Sequence, residues 1–468
     1  MNWQTVALEL GVSAWAIVLL VSDLLRKRGL WKLAFAGILL LAGVLWWQRP
    51  WLGQQFDAMF MFDGFAAYFK WLFLLTVGVV ILMTRVFVRR HPLNAGELYL
   101  LIFSALLGML VLASATDLLL LFIGLELLTF SLYVMVAYVK TNAKSVEAGL
   151  KYLLIGSISS GFLVYGISLL YGAAGGTSFD LLRERLASGD MPMIAKAGFL
   201  LVLSGFSFKI AAVPFHLWAP DVYEGAPTPV VALLSVGSKT AGIVALLRVL
   251  YGVLLPLQAS WGSLLAIMSA ATLLYGNLSA IPQTNIKRLL GYSSIGHAGY
   301  LLMGLCTGTL AGAQGVAFYL LAYLFSNLAV FFVVVLVSTL TDGTDSLDDY
   351  NGLARRSPLL AAVMFIGLLS LAGVPPLAGF SGKLLVLLAA VQDQRLWLAG
   401  IGAVNVAISL YYYLMVVRRM YVLPAPSAQP IRVDGLSRAV LFTLVAGILV
   451  IGIVQEPFLR LINSAIQF

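Results

Sequence analysis

The chain has 468 residues, of which 61% are hydrophobic and only 10% are charged, and its formal net charge is +9. A soluble globular protein carries about 25% charged residues, so this composition excludes a water-soluble enzyme. No polar stretch is long enough to form a separate soluble domain. The composition therefore predicts a polytopic membrane protein with a single membrane domain over residues 1–468.

Apolar runs separated by charged or Gly/Pro clusters predict an all-α fold of fourteen transmembrane helices, since about 20 apolar residues span a bilayer. In chain order the predicted helices cover residues 5–22, 30–48, 66–88, 96–114, 117–139, 145–172, 194–218, 229–252, 261–281, 289–306, 313–340, 357–390, 397–420 and 437–455. The basic cluster at 26–28 follows the first helix and does not precede it, which argues against a cleaved signal peptide.

The distribution of basic residues predicts the orientation of these helices. Most lysines and arginines fall in the loops after odd-numbered helices, as at 26–28, Arg89 and Arg90, and His91 lies in such a loop too. The opposite loops hold few, among which we place Lys70. The positive-inside rule puts the basic side in the cytoplasm. We therefore expect a bacterial-type cytoplasmic membrane with both termini on the non-cytoplasmic side, and the net charge indicates contact with anionic lipids instead of nucleic acid.

Several charged residues lie inside the predicted helices, where insertion scales assign a cost of roughly 2.5–3.5 kcal/mol each. A chain retains such groups only if they pair, face water or carry out a function. One interpretation is a set of ion pairs that join helices, and the other is a proton or ion relay. These residues are Glu126, Lys151, Lys209, Lys239, Arg248 and Lys383.

Three of these charges can be placed by helical spacing. Glu126 lies nine residues after Asp117, about 13 Å along its helix, so we expect it to face the protein interior. Lys151 follows Glu147 by four residues, which predicts an ion pair on one helix face; a plain salt bridge at a helix end is the alternative. Arg248 lies near the outer end of its helix, and we interpret it as an anchor.

Lys209 and Lys383 each accompany a break in a predicted helix. Pro214 follows Lys209 by five residues, and Pro375-Pro376 precede Lys383. Proline removes a backbone donor, and a broken span is tolerated in a bilayer where the freed groups are buried in protein or line a hydrated cavity.

The two breaks share a pattern, since Ala212-Val213-Pro214 matches Gly373-Val374-Pro375. They fall in the seventh and twelfth helices, which run in opposite directions, so the match indicates an inverted repeat. We predict a first repeat at 96–252, a second at 261–420, and flanking helices at 1–95 and 421–468.

Two further residues complete a row of polar groups through the bundle. Lys239 lies among small residues that allow close helix contact, and His297 lies in the tenth helix, either as a proton carrier or as a satisfied polar core residue. Desolvation weakens the proton affinity of a buried lysine, and a nearby carboxylate such as Glu126 strengthens it. A haem held by His216 and His297 has no other support in the sequence.

Cofactor chemistry has little support in this chain. Cys306 is its only cysteine, which excludes an internal disulfide, a cysteine-ligated iron–sulfur cluster and a thiolate zinc site. Neither a phosphate-binding loop nor a dinucleotide fingerprint is present. We expect no cofactor and no metal in the chain itself.

Long ungapped motifs resemble a known family. The stretch HLWAPDVYEGAPTPVVALLSVGSKTAG at 216–242 is similar to the antiporter-like membrane subunits of respiratory complex I, the type I NADH:quinone oxidoreductases, and within them to subunit N, the homologue of mitochondrial subunit 2. Further matching stretches are GLELLTFSLYVMVAY (124–138), SVEAGLKYLLIGSISSGFLVYGISLLYG (145–172), IKRLLGYSSIGHAGY (286–300) and LAGVPPLAGFSGKLL (371–385).

This resemblance implies a subunit that translocates protons while quinone is reduced elsewhere in the complex. It implies proton-relay roles for a set of residues that we take as the candidate site: Glu126, Lys151, Lys209, Lys239, His297 and Lys383. It also implies partner subunits that hold NAD, FMN, iron–sulfur clusters and quinone, and contacts with a sister antiporter-like subunit, small membrane subunits and lipids. An Mrp-type cation/proton antiporter and a purely structural spacer are the alternatives.

Overall fold

The structure, a computed structural model, describes residues 2–25, 29–89, 93–187, 192–341, 344–425 and 429–467. It is almost entirely helical over these residues, which confirms the predicted all-α class. The basic residues predicted at 26–28 and at Arg90, and the surface residue His91, lie outside the described residues.

Twenty α-helices are assigned within the described part of the chain, besides short 3₁₀ segments. Their bounds are α1 Ala7–Leu25, α2 Leu30–Trp47, α3 Gly64–Val88, α4 Ala95–Ser114, α5 Leu118–Val136, α6 Ala143–Ala174, α7 Phe179–Ala187, α8 Met193–Ile210, α9 Trp218–Gly225, α10 Thr228–Leu233, α11 Lys239–Gly252, α12 Gln258–Ala280, α13 Ile286–Leu305, α14 Leu310–Thr341, α15 Leu353–Arg356, α16 Pro358–Ala372, α17 Ala378–Gln392, α18 Leu396–Tyr421, α19 Gly435–Ile453 and α20 Glu456–Ala465.

Each of the fourteen predicted spans corresponds to a helix or a helix pair. Twelve helical segments of the described chain are long and apolar enough to cross a membrane, and one of them joins α10 to α11 through a π-helical turn, Leu234–Ser238. The other two spans are α13 and the interrupted pair α16 and α17. Hydropathy and length alone therefore identify twelve of the fourteen predicted spans among the described residues.

Burial separates a central set of helices from a peripheral set. The α10–α11 segment is buried along its length, and α14 nearly so, whereas α1, α2, α6, α18 and α19 expose most of their surface. Close packing at the centre depends on small residues: a Cβ atom added to Gly276 of α12 would lie 2.4 Å from the backbone nitrogen of Gly296 on α13. Such contacts let membrane helices approach closely.

Polar residues at the helix starts explain where several spans begin. Asp117 precedes α5 and accepts hydrogen bonds from the backbone of Leu119 at 2.7 Å. Asp63 does the same for α3, from Ala66 at 2.8 Å. A side-chain acceptor at this position satisfies backbone donors that have no partner in the first turn.

Several small elements of the described residues were not predicted from hydropathy because they do not span the bilayer. The strands β1 (Gln54–Phe56) and β2 (Phe60–Phe62) form an antiparallel hairpin between α2 and α3. The helices α7 and α9 lie in connections between spans, and α20 follows the last span.

The structure also corrects the register in which the two breaks match. The residues that directly follow α8 and α16, Ala211 (φ +58°) and Gly373 (φ +89°), both have the left-handed conformation. In each case the backbone N–H of the next residue, Ala212 or Val374, donates to the carbonyl of the residue five positions earlier. Aligned on these residues, Pro214 matches Pro376 and not Pro375. The match of Pro214 with Pro375 made from the sequence was shifted by one residue, because it relied on similar residue types and not on backbone conformation.

Candidate functional site

The first buried amine, that of Lys209, lies in the last turn of α8 and is bound to α5. Its Nζ atom donates to Thr129 Oγ1 at 2.7 Å, and the residue is 3% exposed. Thr129 lies three residues after Glu126, so the two side chains share one face of α5. The amine of Lys209 therefore contacts the face of α5 that carries Glu126, through the hydroxyl of Thr129.

Glu126 itself is half-buried, which corrects the expectation that it faces only the interior. Ser160 of α6 donates to Glu126 Oε1 at 2.6 Å. The neighbouring Phe130 is 58% exposed, so this face of α5 forms the edge of the bundle. The carboxylate therefore lies between the interior, where Lys209 is, and the outer surface of the subunit.

Aromatic rings enclose the end of α8 around Lys209. Tyr152 of α6 stacks on Trp218 of α9 with ring centroids 4.7 Å apart, and its hydroxyl lies 3.5 Å from Lys209 Nζ. Trp218 donates its indole N–H to the carbonyl of Phe208 at 3.0 Å. These contacts bind the polypeptide on both sides of the break to α6 and leave the amine in apolar surroundings.

The second amine, that of Lys239, begins α11 directly after the π-helical turn. It donates to both the carbonyl and the hydroxyl of Ser294 on α13, and Ser294 Oγ is 2.8 Å from the hydroxyl of Tyr223. One turn further along α11, a Cβ atom on Gly242 would lie 3.3 Å from Cγ of Lys209. The helix that carries the second amine is therefore packed directly against the side chain of the first.

His297 lies on α13, one turn after Ser293 and Ser294, and has hydroxyl partners on both ring nitrogens. Nδ1 is 2.6 Å from the hydroxyl of Tyr319, and Nε2 is 3.2 Å from that of Tyr413. Tyr413 also hydrogen-bonds Ser293. The imidazole thus belongs to a continuous set of exchangeable hydrogen-bonding groups, and the predicted polar environment is present.

The third amine, that of Lys383, lies on α17 after the second break. Its Nζ atom donates to the carbonyl of Ala372, the last residue of α16, at 2.9 Å, and lies 3.5 Å from Ser409 Oγ. A broken helix leaves its last carbonyls without intrahelical partners, and Lys383 satisfies one of them. The two breaks are used differently, because Lys209 precedes its break whereas Lys383 follows its own.

A cavity of about 10 Å³ separates His297 from Lys383. Tyr319, Tyr323 and Ser326 also line it, and a space of this size holds about one water molecule. A single water in this cavity could bridge the imidazole and the amine.

Lys151 differs from the other predicted site residues because its side chain is 42% exposed. It forms the predicted pair with Glu147 at 2.7 Å and a second pair with Asp221 of α9 at 2.8 Å. Lys151 lies within three turns of the start of a helix that is longer than a bilayer requires, so the prediction that it is a buried charge within the membrane was wrong.

Asp221 connects Lys151 to a charged pocket of about 180 Å³ between the ends of α6, α9 and α13. Arg288 donates to Asp221 at 2.6 Å and to Glu224 at 3.2 Å. Burial alone would raise the pKa of Asp221, but the hydrogen bonds from Lys151 and Arg288 hold it below its ordinary value. The pocket therefore contains ionised groups of both signs.

Two buried ion pairs were missed from the sequence. Lys70, which we placed in a loop, lies inside α3, is fully buried and pairs with Glu9 of α1 at 2.7 Å. Arg248 pairs with Asp63 at 2.7 Å, so it joins α11 to the start of α3 instead of reaching toward solvent. Glu9, Lys70 and Arg248 each lie inside an apolar run, which is visible in the sequence, whereas the pairing required knowledge of helix contacts.

Comparison with known proteins identifies the family of this chain. A family model described as the transmembrane region of NADH:quinone oxidoreductases and Mrp antiporters matches residues 115–409. A relative from Moorella thermoacetica, named NADH-quinone oxidoreductase subunit N, is 42% identical over 467 residues, which cover 99% of this chain and 97% of the relative.

Solved structures show the same fold. A chain of respiratory complex I from Thermus thermophilus is 30% identical with a TM-score of 0.83, over 97% of this chain and 98% of that one. A chain of the Mrp complex from Dietzia sp. DQ12-45-1b is 21% identical with a TM-score of 0.87, over 99% and 97%, which is a likeness of fold. The chain therefore belongs to the NADH:quinone oxidoreductase/Mrp antiporter family and, within it, to the family of NADH-quinone oxidoreductase subunit N.

Proposed function

We propose that this chain is a proton-translocating subunit of the membrane arm of an NADH:quinone oxidoreductase and takes no part in electron transfer itself. One observation carries the proposal: buried amines on α8, α11 and α17 and a buried imidazole on α13 are joined or approached by hydroxyl groups. Buried ionisable residues in membrane helices mark proton pathways more often than structural pairs.

The relay would run through the middle of the subunit. Lys239 donates to Ser294, and His297 is linked through the hydroxyl of Tyr413 to the neighbouring Ser293, so a proton would have to cross from one serine of α13 to the next. The cavity beside His297 extends the path to Lys383 through one water, and the packing of Gly242 on Lys209 brings the first amine next to α11. Protons would therefore move laterally through the subunit between the two broken helices.

Glu126 would control the first amine. Two unit charges 4 Å apart interact by about 4 kcal/mol at an effective dielectric constant of 20, which corresponds to roughly three orders of magnitude in proton affinity. A change in the distance between Glu126 and Lys209 would therefore load or release a proton. Because Glu126 lies at the subunit edge, a neighbouring subunit could drive that change.

Lys151 would act where protons enter the subunit. Its pocket holds ionised Asp221 and is open to solvent, and the sequence places it on the basic, cytoplasmic side of the membrane. The pocket would supply water and exchangeable protons to the relay.

The redox cofactors and the quinone site would belong to partner subunits. We infer that NAD, FMN, iron–sulfur clusters and quinone bind elsewhere in the complex, and that this chain contacts a sister antiporter-like subunit and small membrane subunits. It would span the bacterial cytoplasmic membrane with both termini outside the cytoplasm.

The test is the proton-to-electron ratio of intact complexes in proteoliposomes that carry Lys209→Ala or Glu126→Ala. We expect pumping to fall at least about tenfold per electron while subunit composition is unchanged. Lys196→Ala is a matched control, since Lys196 is an exposed lysine on the same helix α8. A normal ratio in correctly assembled Lys209→Ala complexes would refute the relay and leave the structural-spacer alternative.

Because a chain of an Mrp complex has the same fold, a cation/proton antiporter is the alternative function. Co-purification distinguishes the two: the proposed function requires that the chain migrate with quinone-reducing activity, whereas an Mrp-type antiporter would migrate with sodium/proton exchange activity.

A further inference from the structure

A deep apolar groove runs down the outside of the subunit between α2, α3, α14 and α19. Its volume is about 340 Å³, far larger than the one-water cavity of the relay. The surface that lines it is almost wholly apolar, with walls that include Phe35, Leu39, Trp71, Gly78, Phe325 and Ala439. None of the six candidate relay residues lines the groove.

The depth of the groove matches one leaflet of a bilayer. Along α3 it extends from Trp71 to Leu82, eleven residues that rise about 16 Å at 1.5 Å each. The hydrocarbon core of a bilayer is about 30 Å thick, so one leaflet is about 15 Å. An acyl chain that enters at one surface would therefore run the length of the groove.

A basic cleft of about 250 Å³ lies at one end of this groove, and Trp31, Arg85, Arg89 and Tyr99 contribute to its lining. On α3, Arg85 follows the groove residue Leu82 by one turn. On α2, Trp31 precedes the groove residue Phe35 by one turn. The groove and the cleft are therefore consecutive along the same two helices.

The arginines of the cleft are arranged to receive an anion. Arg85 lies over the ring of Trp31 at 4.8 Å and donates Nη1 to Asp434 at 2.8 Å, and its buried Nε has no hydrogen-bond partner in the described residues. Arg89 lies one turn further on and is exposed. Asp434 balances one of the two guanidinium charges, so the pair keeps positive charge at the membrane surface.

We propose that this groove and cleft form a specific binding site for an anionic phospholipid. An acyl chain fills the apolar groove, and the phosphate lies in the cleft against the exposed guanidinium of Arg89, with the positive charge of Arg85 beside it. Basic pockets between transmembrane helices bind anionic headgroups in this way. A neutral detergent-like chain would fill the groove but leave the guanidinium charge of the cleft without a partner.

The experiment measures phospholipid retained by the whole complex after detergent washing in the presence of dioleoylphosphatidylglycerol and dioleoylphosphatidylcholine. Arg89→Gln removes one headgroup contact, and a basic residue near the surface contributes about 1 kcal/mol, or about fivefold in affinity. Ala439→Phe fills the groove from an exposed position without touching the arginines. Arg460→Gln and Ile17→Phe, both at exposed sites outside the groove, are the matched controls.

We expect Arg89→Gln to bind the phosphatidylglycerol about fivefold more weakly than wild type, Ala439→Phe to lose up to one phosphatidylglycerol per complex, and the controls to retain as much as wild type. Equal retention of phosphatidylglycerol in wild type and both variants would overturn the site. Loss of phosphatidylcholine instead would show an apolar groove without headgroup selectivity, and density for a helix of another subunit in the groove would show a protein partner; either result refutes the proposal.

Discussion

The buried pair Glu9–Lys70 gives the sharpest test of how this fold is held together. Lys70 is fully buried, and its Nζ atom lies 4.9 Å from the ring centroids of both Phe60 and Phe62. The Glu9 side chain is 9% exposed. Glu9→Gln and Lys70→Met each leave the other charge alone in this apolar layer.

The expected cost follows from that burial. Removing one partner of a buried ion pair destabilises a protein by roughly 3–5 kcal/mol, whereas replacing both by apolar residues is often neutral. The exposed pair Glu456–Arg460 on α20 contributes roughly 0.3–0.5 kcal/mol, so Glu456→Gln serves as the control. A loss of about 3 kcal/mol, fully expressed in the barrier, speeds dissociation about 100-fold.

The assay is the rate at which heated, purified complex loses this subunit, measured on native gels. Either single variant should lose it about 100-fold faster than wild type, and Glu9→Leu combined with Lys70→Met should restore the rate to within about tenfold. Two results would contradict this role of the pair. One is a rate of subunit loss in the single variants within about twofold of wild type, and the other is a double variant that loses the subunit as fast as the single variants do.

Three further predictions concern the relay and its pocket. Thr129→Val removes the hydroxyl that accepts a hydrogen bond from the amine of Lys209. A hydrogen bond to a charged group contributes about 1.5–3 kcal/mol, so proton pumping should fall about tenfold or more. Thr129→Ser keeps the hydroxyl and should keep most of the pumping. Tyr413→Phe should slow pumping by breaking the link between Ser293 and His297, whereas Tyr411→Phe, at an exposed neighbour, should not; equal rates would contradict the path. Because the pKa of Asp221 is lowered in the fold, its stabilising effect is complete above the ordinary carboxylate pKa and is lost as pH falls through the lowered value. Amide-exchange protection of 218–225 should decline over that acidic range in wild type, and Asp221→Asn should begin less protected and show no such decline.

Particular residues show how far local sequence information reaches. Lys209, Lys239 and Lys383 were identifiable because each is a charge inside an apolar run. Lys70 has the same property, but it was counted with the loop residues although it lies inside the predicted helix 66–88. Lys151 was taken as buried because hydropathy cannot show that α6 extends past the bilayer surface.

The sequence by itself determined the membrane class, the fourteen spans and the residue types available for proton transfer, because hydropathy and charge are local properties of each segment. The tertiary structure decided which groups meet: the pair Glu9–Lys70, the hydroxyl on Lys209, the carbonyl that holds Lys383, and the groove with its basic cleft. Apart from the contact of Lys383 with Ala372, which crosses the second break, these contacts join residues far apart in the chain. All of them depend on the depth and rotation of one helix against another, which no single segment encodes.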